Sequence, residues 1–246
     1  MSGQEHTQGK QKSPQLRWFH GFLCVVCSLA VLMSGLITAF EIGMYSDFGV
    51  YEDEYEKYDV KSQLSMEMPE IMRVTRYMMS YLRGGEEVLS IEADVDGKVQ
   101  DFFNEQDRFH MGEVKALFLG GLSIRRISIV ILCLALCAVV LTKGDLRRIF
   151  PGIYLKTCGV LCGVSALAAM LLASDFNKYF VIFHHIFFDN DQWIFDPAED
   201  YMIRMLPEGL FFDMTMRIGA IFVGMLLASA ILAAGARIWV KKHREE

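Results

Sequence analysis

Three of the six histidines stand in short stretches that mix acidic, polar and apolar residues, and these stretches are the best candidates for chemistry. One holds His110, and the other holds the adjacent pair His184 and His185. An unperturbed imidazole has a pKa of about 6.5, so two of them can serve as base and acid in acyl transfer. Alternatively, His184 and His185 could bind a metal ion together with Asp189 and Asp191.

The spacing of these residues favours acid/base chemistry over a metal site. Adjacent histidines usually point in different directions, and the cluster has no pair of histidines four residues apart. A nucleophilic serine or cysteine is poorly supported, because the chain has no G-x-S-x-G motif and its cysteines lie inside apolar runs. The spacing of the cysteines as helical neighbours fits neither a disulfide framework nor a zinc site. They are Cys24, Cys27, Cys133, Cys137, Cys158 and Cys162.

Four apolar runs are long enough to cross a membrane, and they must position these histidines. The chain has 246 residues, of which 53% are hydrophobic, and its mean hydropathy is +0.28, which is too apolar for an ordinary soluble domain. A membrane helix needs about 20 apolar residues. The sequence therefore predicts an α-helical integral membrane protein with four transmembrane helices. The spans are 18–40, 122–142, 153–173 and 215–240.

Charge is distributed unequally between the two sides of these spans. Both tails and the connection between the second and third spans are basic, which predicts that they face the cytoplasm. The other two loops are acidic: residues 41–113 hold 18 Asp and Glu against 7 Lys and Arg, and residues 174–212 hold 7 against 2. The net charge of −6, with no basic patch, argues against a nucleic-acid partner. The predicted cytoplasmic segments are 1–17, 143–152 and 241–246. The predicted extracellular segments are 41–121 and 174–214.

The two extracellular segments differ in character. In the first, Met68-Pro69-Glu70 is typical of a helix start, and helical spacing of apolar residues up to Gly84-Gly85 predicts an amphipathic helix on the outer leaflet or on the protein. Asp96-Gly97 then predicts a β-hairpin, so this segment holds a small extracellular α/β element. The second is rich in aromatic residues, and we expect it to lie on or in the outer leaflet.

Several short motifs on these outer segments share a specific order along the chain. They are Phe103-Asn104-Glu105, His110-Met111, Val114-Lys115, Phe183-His184, Ile186-Phe187-Phe188, Trp193, Asp196-Pro197 and Leu206-Pro207-Glu208. On a four-span frame, this combination resembles the bacterial lipoprotein intramolecular transacylase family, and the resemblance extends from Trp18 to about Arg237. It implies an enzyme of the bacterial cell membrane.

The resemblance also implies the reaction. The substrate is a lipoprotein whose N-terminal cysteine carries a thioether-linked diacylglyceryl group. The enzyme moves the sn-2 acyl chain onto the α-amine of that cysteine and produces a lyso-form lipoprotein. No cofactor, metal or second lipid is required, and the active site faces the extracellular side of the membrane.

The resemblance implies roles for individual residues as well. His110 and His184 form the acid/base pair, and Glu113 and Glu105 are candidate orienting carboxylates. Glu113 stands where the family commonly has an aspartate, so the carboxylate is retained with one more methylene. The other candidates are Asn104 and Arg108 as oxyanion stabilisers, His185 as a supporting residue, and Arg125, Arg126, Arg217 and Trp193 as lipid contacts.

Two other functions stay open at this point. One is a metal-dependent membrane lipid or peptide hydrolase that uses His184, His185 and the nearby acids, and a chelator would abolish its activity. The other is a non-enzymatic scaffold or transport protein, which would tolerate His110→Ala and His184→Ala. A transporter fits less well, because the spans hold almost no ionisable residues at the bilayer midplane.

Overall fold

The protein consists of four long helices and a small domain inserted after the first of them. The computed structural model describes residues 14–95 and 97–243. In these residues the elements are α1 (Pro14–Tyr45), α2 (Gly49–Lys57), α3 (Val60–Leu64), α4 (Met68–Leu82), β1 (Glu92–Val95), β2 (Lys98–Asp101), α5 (Glu105–Leu141), α6 (Leu146–Ser174), α7 (Phe176–Phe187), α8 (Tyr201–Met205) and α9 (Glu208–Lys242). The helices α1, α5, α6 and α9 are long and apolar enough to cross a membrane, which confirms the predicted four-span helical fold.

The four long helices form a bundle around α1. That helix packs against α5, α6 and α9, and α6 also packs against α9. The close approach of α1 to α9 requires a glycine at position 43, because a Cβ atom there would lie 2.5 Å from Cγ1 of Ile218. On their outer faces the long helices expose large apolar side chains such as Leu134 and Leu232. Such a surface is suited to lipid.

The long helices continue beyond the predicted spans. Helix α5 begins at Glu105, well before residue 122, so nearly half of the helix precedes the predicted span and forms one continuous rod with it. A side chain near the start of α5 is therefore fixed relative to the bundle. Residues 1–13 and 244–246, which include most of the predicted cytoplasmic tails, lie outside the described residues.

The domain between α1 and α5 shares an apolar core with α8 and the first turns of α9. Helix α4 is amphipathic, as predicted, and its apolar face packs on the protein: Ile71 and Val74 are fully buried. Tyr51 and Tyr55 of α2 lie in the same core, and the Tyr55 hydroxyl and the Thr75 hydroxyl are hydrogen-bonded at 2.7 Å. The core thus fixes α2 against α4.

The predicted β-hairpin is also present. Strands β1 and β2 pair antiparallel, with Val95 opposite Lys98. Gly97 in the turn has φ of 75°, a conformation that glycine adopts without a steric penalty. Asp96, the other predicted turn residue, lies outside the described residues.

Four short helices lie in segments for which the sequence analysis predicts no helix. The acidic, tyrosine-rich stretch after α1 forms α2 and α3, and the aromatic segment 174–214 contains α7 and α8. Helix α7 has a local cause, because a side-chain oxygen of Asp175 accepts a hydrogen bond of 3.1 Å from the backbone N–H of Lys178 and caps the first turn. The aromatic density of this segment therefore belongs partly to a helix that carries His184.

Candidate active site

Two capped helices position the candidate histidines. At the start of α5, the Asn104 side chain accepts a hydrogen bond of 2.8 Å from the backbone N–H of Asp107, and an Asp107 oxygen accepts one of 2.9 Å from the backbone N–H of Asn104. This reciprocal capping box fixes the first turn of α5, which is followed at once by His110. His184 lies in the last turn of α7. The fold thus brings together two residues that are 74 positions apart.

The rings of His110 and His184 lie face to face in an aromatic environment. Their centroids are 5.9 Å apart, with 29° between the ring planes. Phe188 and Phe195 contact the His110 ring at 4.9 and 5.5 Å, and Trp193 lies 4.7 Å from the His184 ring. Both histidines are 6% exposed. They therefore form a water-poor pair that a small reacting group could contact from one side.

The hydrogen bonding of His184 defines its tautomer. Its Nδ1 lies 2.7 Å from the carbonyl oxygen of Phe180, and because a carbonyl only accepts, Nδ1 carries the proton. The lone pair of the neutral ring is then on Nε2. Burial lowers the pKa of His184 below its ordinary value, the bond to Phe180 acts in the opposite direction, and His185 lowers the pKa further. His184 is thus a neutral ring with a free acceptor at pH 7.

The environment of His110 contains a carboxylate that is close but not hydrogen-bonded. Nδ1 of His110 lies 3.9 Å from one side-chain oxygen of Glu113, one helical turn further along α5. Neither of these two atoms is exposed, and neither has a hydrogen-bond partner among the described residues. The other oxygen of Glu113 accepts a hydrogen bond of 2.9 Å from the side-chain amide of Asn190. One carboxylate oxygen is thus fixed, while the second faces His110.

Three other candidates near His110 have structural partners or face solvent. Arg108 donates to Asp101 at 2.6 Å and to the carbonyl oxygen of Leu89 at 3.0 Å. The Asn104 side-chain amide donates to Asp200, and Glu105 is exposed in the first turn. None of the three lines the cavity beside the histidines. As oxyanion donors, Asn104 and Arg108 would first have to leave these partners.

The residues of the alternative metal site do not converge in the described part of the chain. His185 is exposed, and its ring lies edge-on to Trp193 at 5.2 Å. Asp189 and Asp191 are also exposed. No group of three or more His, Cys, Asp or Glu side chains that could hold a metal ion occurs within residues 14–95 and 97–243. His184 instead makes its contacts with aromatic rings.

A single apolar cavity connects the histidines to the membrane bundle. It has a volume of about 640 Å³ and is lined by both histidines at one end and by residues such as Leu122, Leu172 and Ile218 of the long helices. From His110 to Leu122 the helical rise of α5 amounts to about 18 Å. The cavity therefore offers a long apolar passage of the kind that an acyl chain requires.

The arginine candidates differ in their surroundings. Arg125 pairs with Glu41 of α1, and Arg83 donates to the same carboxylate at 3.0 Å. Glu41 and Arg83 line the cavity, so this ion cluster joins the small domain to the bundle beside it. Arg126 is exposed, whereas Nε of Arg217 is buried without a hydrogen-bond partner among the described residues.

Some residues of the site are not predicted from the sequence. Glu41 stands at the end of an apolar run, and only the folded chain shows that it meets Arg125. Asn190 belongs to a polar stretch that has several equivalent residues, and nothing local distinguishes it. Trp193, by contrast, is a predicted lipid contact and does line the cavity.

Comparison with known proteins identifies the family. The family model described as "Lipoprotein intramolecular transacylase Lit" matches residues 25–212. The chain belongs to this family. Lit proteins are membrane lipoprotein transacylases, so the predicted resemblance is confirmed, and both the hydrolase and the scaffold or transport alternatives are excluded. No curated protein sequence matches the chain.

Solved structures of a Lit protein share the fold. The in meso structure of the membrane integral Lit from Bacillus cereus has a TM-score of 0.71 and 24% sequence identity, and the match covers 94% of this chain and 100% of that one. For a variant of that protein with a histidine changed to alanine, the TM-score is 0.69 and the sequence identity is 23%. The match covers 94% of this chain and 97% of that one. For a variant with arginine at the same position, the TM-score is 0.67 and the sequence identity is 22%. The match covers 93% of this chain and 95% of that one. The whole described architecture is thus that of Lit.

Proposed function

We propose that this Lit family member moves the sn-2 acyl chain of a diacylglyceryl-modified lipoprotein onto the α-amine of the same N-terminal cysteine. The observation that carries the proposal is the pair of buried histidines at the end of an apolar cavity that reaches the bundle. The cavity suits the acyl chain, and the imidazoles suit the proton transfers at the ester. The product is the lyso-form lipoprotein.

The proton balance of this reaction provides a reason for two imidazoles. The α-ammonium group loses two protons as it becomes an amide, the departing glyceryl oxygen takes up one, and the other is released. Two neutral imidazoles can each carry one of these protons. The fixed tautomer of His184 presents Nε2 as one acceptor. In this proposal His110 supplies the other acceptor, and Glu113 stabilises the cation that forms there.

The intramolecular character of the reaction assigns a second task to the cavity. The amine and the ester belong to one molecule, so the enzyme must hold them in contact rather than collect two substrates. A geometry with reacting atoms about 3 to 3.5 Å apart can account for a large part of the rate. The aromatic rings around His110 and His184 restrict the space in which these groups move.

We propose that the site faces the extracellular side and that both termini are cytoplasmic. Lys143 lies in the connection between α5 and α6, and Arg147 and Arg148 lie in the first turn of α6, at the opposite end of α5 from His110. Short basic connections remain on the cytoplasmic side. The partners are then exported lipoproteins and the outer-leaflet lipid around them.

The test of this function is the structure of the lipid anchor in a living cell. We would express the chain in a bacterium whose lipoproteins carry only the diacylglyceryl modification and analyse the N-terminal lipopeptide by tandem mass spectrometry. Intramolecular transfer leaves the total mass unchanged and places one acyl chain on the amine and one on the glyceryl group. An unchanged fragmentation pattern, with the protein present in the membrane, would contradict the proposal.

The pH dependence of kcat follows from the lowered pKa of His184. A base acts in its neutral form, and an ordinary imidazole is half protonated at pH about 6.5. Because burial lowers the pKa of His184, most of the rings are still neutral at that pH. We expect kcat to keep more than half of its maximum at pH 6.5 and to fall only at lower pH. A profile of kcat from pH 4.5 to 8.5 tests this, and a midpoint above 6.5 would disagree with it.

A further inference from the structure

The loop between α7 and α8 covers His110 and is tied to α5 at two points, in addition to the hydrogen bond between its Asp200 and the N-cap residue Asn104. It contributes the rings of Phe188 and Phe195 that contact His110. One tie is the hydrogen bond from the side-chain amide of Asn190 to Glu113. The other is Gln106, whose side-chain amide donates to the carbonyl oxygens of Gln192 and Ile194 at 3.1 and 2.9 Å. Of these hydrogen bonds, only the one from Asn190 to Glu113 ends on a group that faces a histidine.

We propose that Asn190 is a positioning residue: by holding one oxygen of Glu113, it directs the other oxygen at Nδ1 of His110. This inference rests on the proposed function, in which His110 accepts a proton. Without Asn190, the flexible side chain of Glu113 could rotate away from the ring. The loop would then still cover the site, but the carboxylate would no longer be aligned.

The geometry supports this arrangement in three respects. The amide of Asn190 is itself oriented, because its oxygen accepts a hydrogen bond of 3.0 Å from the backbone N–H of Gln192. Its nitrogen therefore points to Glu113. The second Glu113 oxygen and Nδ1 of His110 are both buried, have no hydrogen-bond partner within residues 14–95 and 97–243, and lie 3.9 Å from each other. Catalytic hydrogen bonds are often this long before substrate binds, and an approach of about 1 Å would complete this one.

The chemical consequence is the choice of tautomer at His110. A carboxylate beside Nδ1 favours the ring that carries its proton there, which leaves the lone pair on Nε2. Nε2 can then accept a proton from the substrate, while Glu113 stabilises the imidazolium. Asn190 thus acts on His110 through Glu113 and does not contact the reacting atoms.

The most specific variant is Asn190→Asp, because it removes the side-chain N–H donor of Asn190 and changes little else. The remaining oxygen can still accept from the N–H of Gln192, so the loop keeps its turn. The new carboxylate cannot donate to Glu113 and repels it. We expect kcat to fall by about 10- to 100-fold, the range that follows from a misplaced catalytic group. Gln106→Ala removes two other hydrogen bonds that hold the same loop and serves as the matched control, with an expected loss of less than about threefold.

The double variant Asn190→Asp with Glu113→Gln reverses the polarity of the bond. The glutamine amide donates to the new aspartate, and its oxygen again faces Nδ1 of His110. We expect the double variant to be more active than Asn190→Asp alone. A ¹⁵N NMR spectrum of the histidine rings in the full-length protein in detergent provides a readout besides activity. It should show the Nδ1-protonated tautomer of His110 in the wild type and the double variant, and a smaller population in Asn190→Asp.

Several outcomes would overturn the inference. Wild-type kcat and an unchanged His110 tautomer in Asn190→Asp would do so, and so would a double variant no better than the single one. A loss in Gln106→Ala equal to that in Asn190→Asp would show that only loop anchoring matters. If His110→Ala keeps full activity, the proposed role of that histidine fails instead, and the tautomer spectra still decide whether Asn190 positions Glu113.

Discussion

We expect replacement of either His110 or His184 with alanine to lower kcat for acyl transfer by about 10²- to 10⁴-fold, the range typical of a lost acid or base. In the proposed mechanism, each variant lacks an acceptor for one of the two protons that leave the α-ammonium group. The other imidazole is 5.9 Å away between ring centroids and cannot take both protons at once. Single-turnover assays with a synthetic diacylglyceryl lipopeptide in micelles would measure this loss.

His185→Ala is the matched control for these variants. The residue is the neighbour of His184 in the chain, but its ring is exposed and touches Trp193 by its edge. We expect its kcat to stay within about threefold of the wild type, since the side chain is exposed and substitutions at exposed positions usually have small effects. Retention of full activity in His110→Ala or His184→Ala, with the fold intact, would remove that residue from the mechanism.

Asn104→Ala should lower the free energy of unfolding by about 2 to 3 kcal/mol. The loss of the cap at the Asp107 N–H contributes about 1 kcal/mol. The remainder arises because Asp200, which is 5% exposed, loses the donor that faces one of its oxygens. Denaturant titration of the purified protein in detergent, followed by tryptophan fluorescence, would measure the change.

Asp145→Ala separates these two contributions. Asp145 caps α6 through a hydrogen bond of 3.3 Å from the N–H of Arg148, but this cap is exposed and has no buried carboxylate beside it. Its loss should amount to about 1 kcal/mol or less. Asn104→Asp keeps a capping oxygen but places a second carboxylate against Asp200, so it should be at least as destabilising as Asn104→Ala. Equal effects of Asn104→Ala and Asp145→Ala would assign no stability to the contact with Asp200.

The large elements of this fold are predictable because their signals are local. A membrane span is a single apolar run, and the amphipathic pattern of α4 and the turn at Gly97 each occupy a few consecutive residues. The two candidate histidines also stand out locally, since polar stretches near the ends of spans are few. All of these features depend on short windows of the chain.

The remaining parts of the site depend on contacts between distant positions. Glu41 meets Arg125 across 84 residues, and Asn190 meets Glu113 across 77. No local pattern predicts such pairs, because many acidic and polar residues in the same stretches would satisfy it equally well. Helix α7 is a different case, since its aromatic residues are typical both of a membrane interface and of the helix face that packs around His184.

The apolar cavity extends from the histidines to the long helices, and its length affects how the substrate reaches the site. His110 lies about 18 Å along α5 from Leu122, where the second span is predicted to begin. An ester that reaches the histidines has therefore been lifted out of the hydrocarbon layer with part of its chain. Exposing each methylene of the acyl chain to water along this path would cost about 0.8 kcal/mol. Contact with the apolar walls of the cavity avoids most of this cost. We therefore expect the reaction to require partial extraction of the lipid from the bilayer, and lipids with longer tails to remain more firmly anchored there during catalysis.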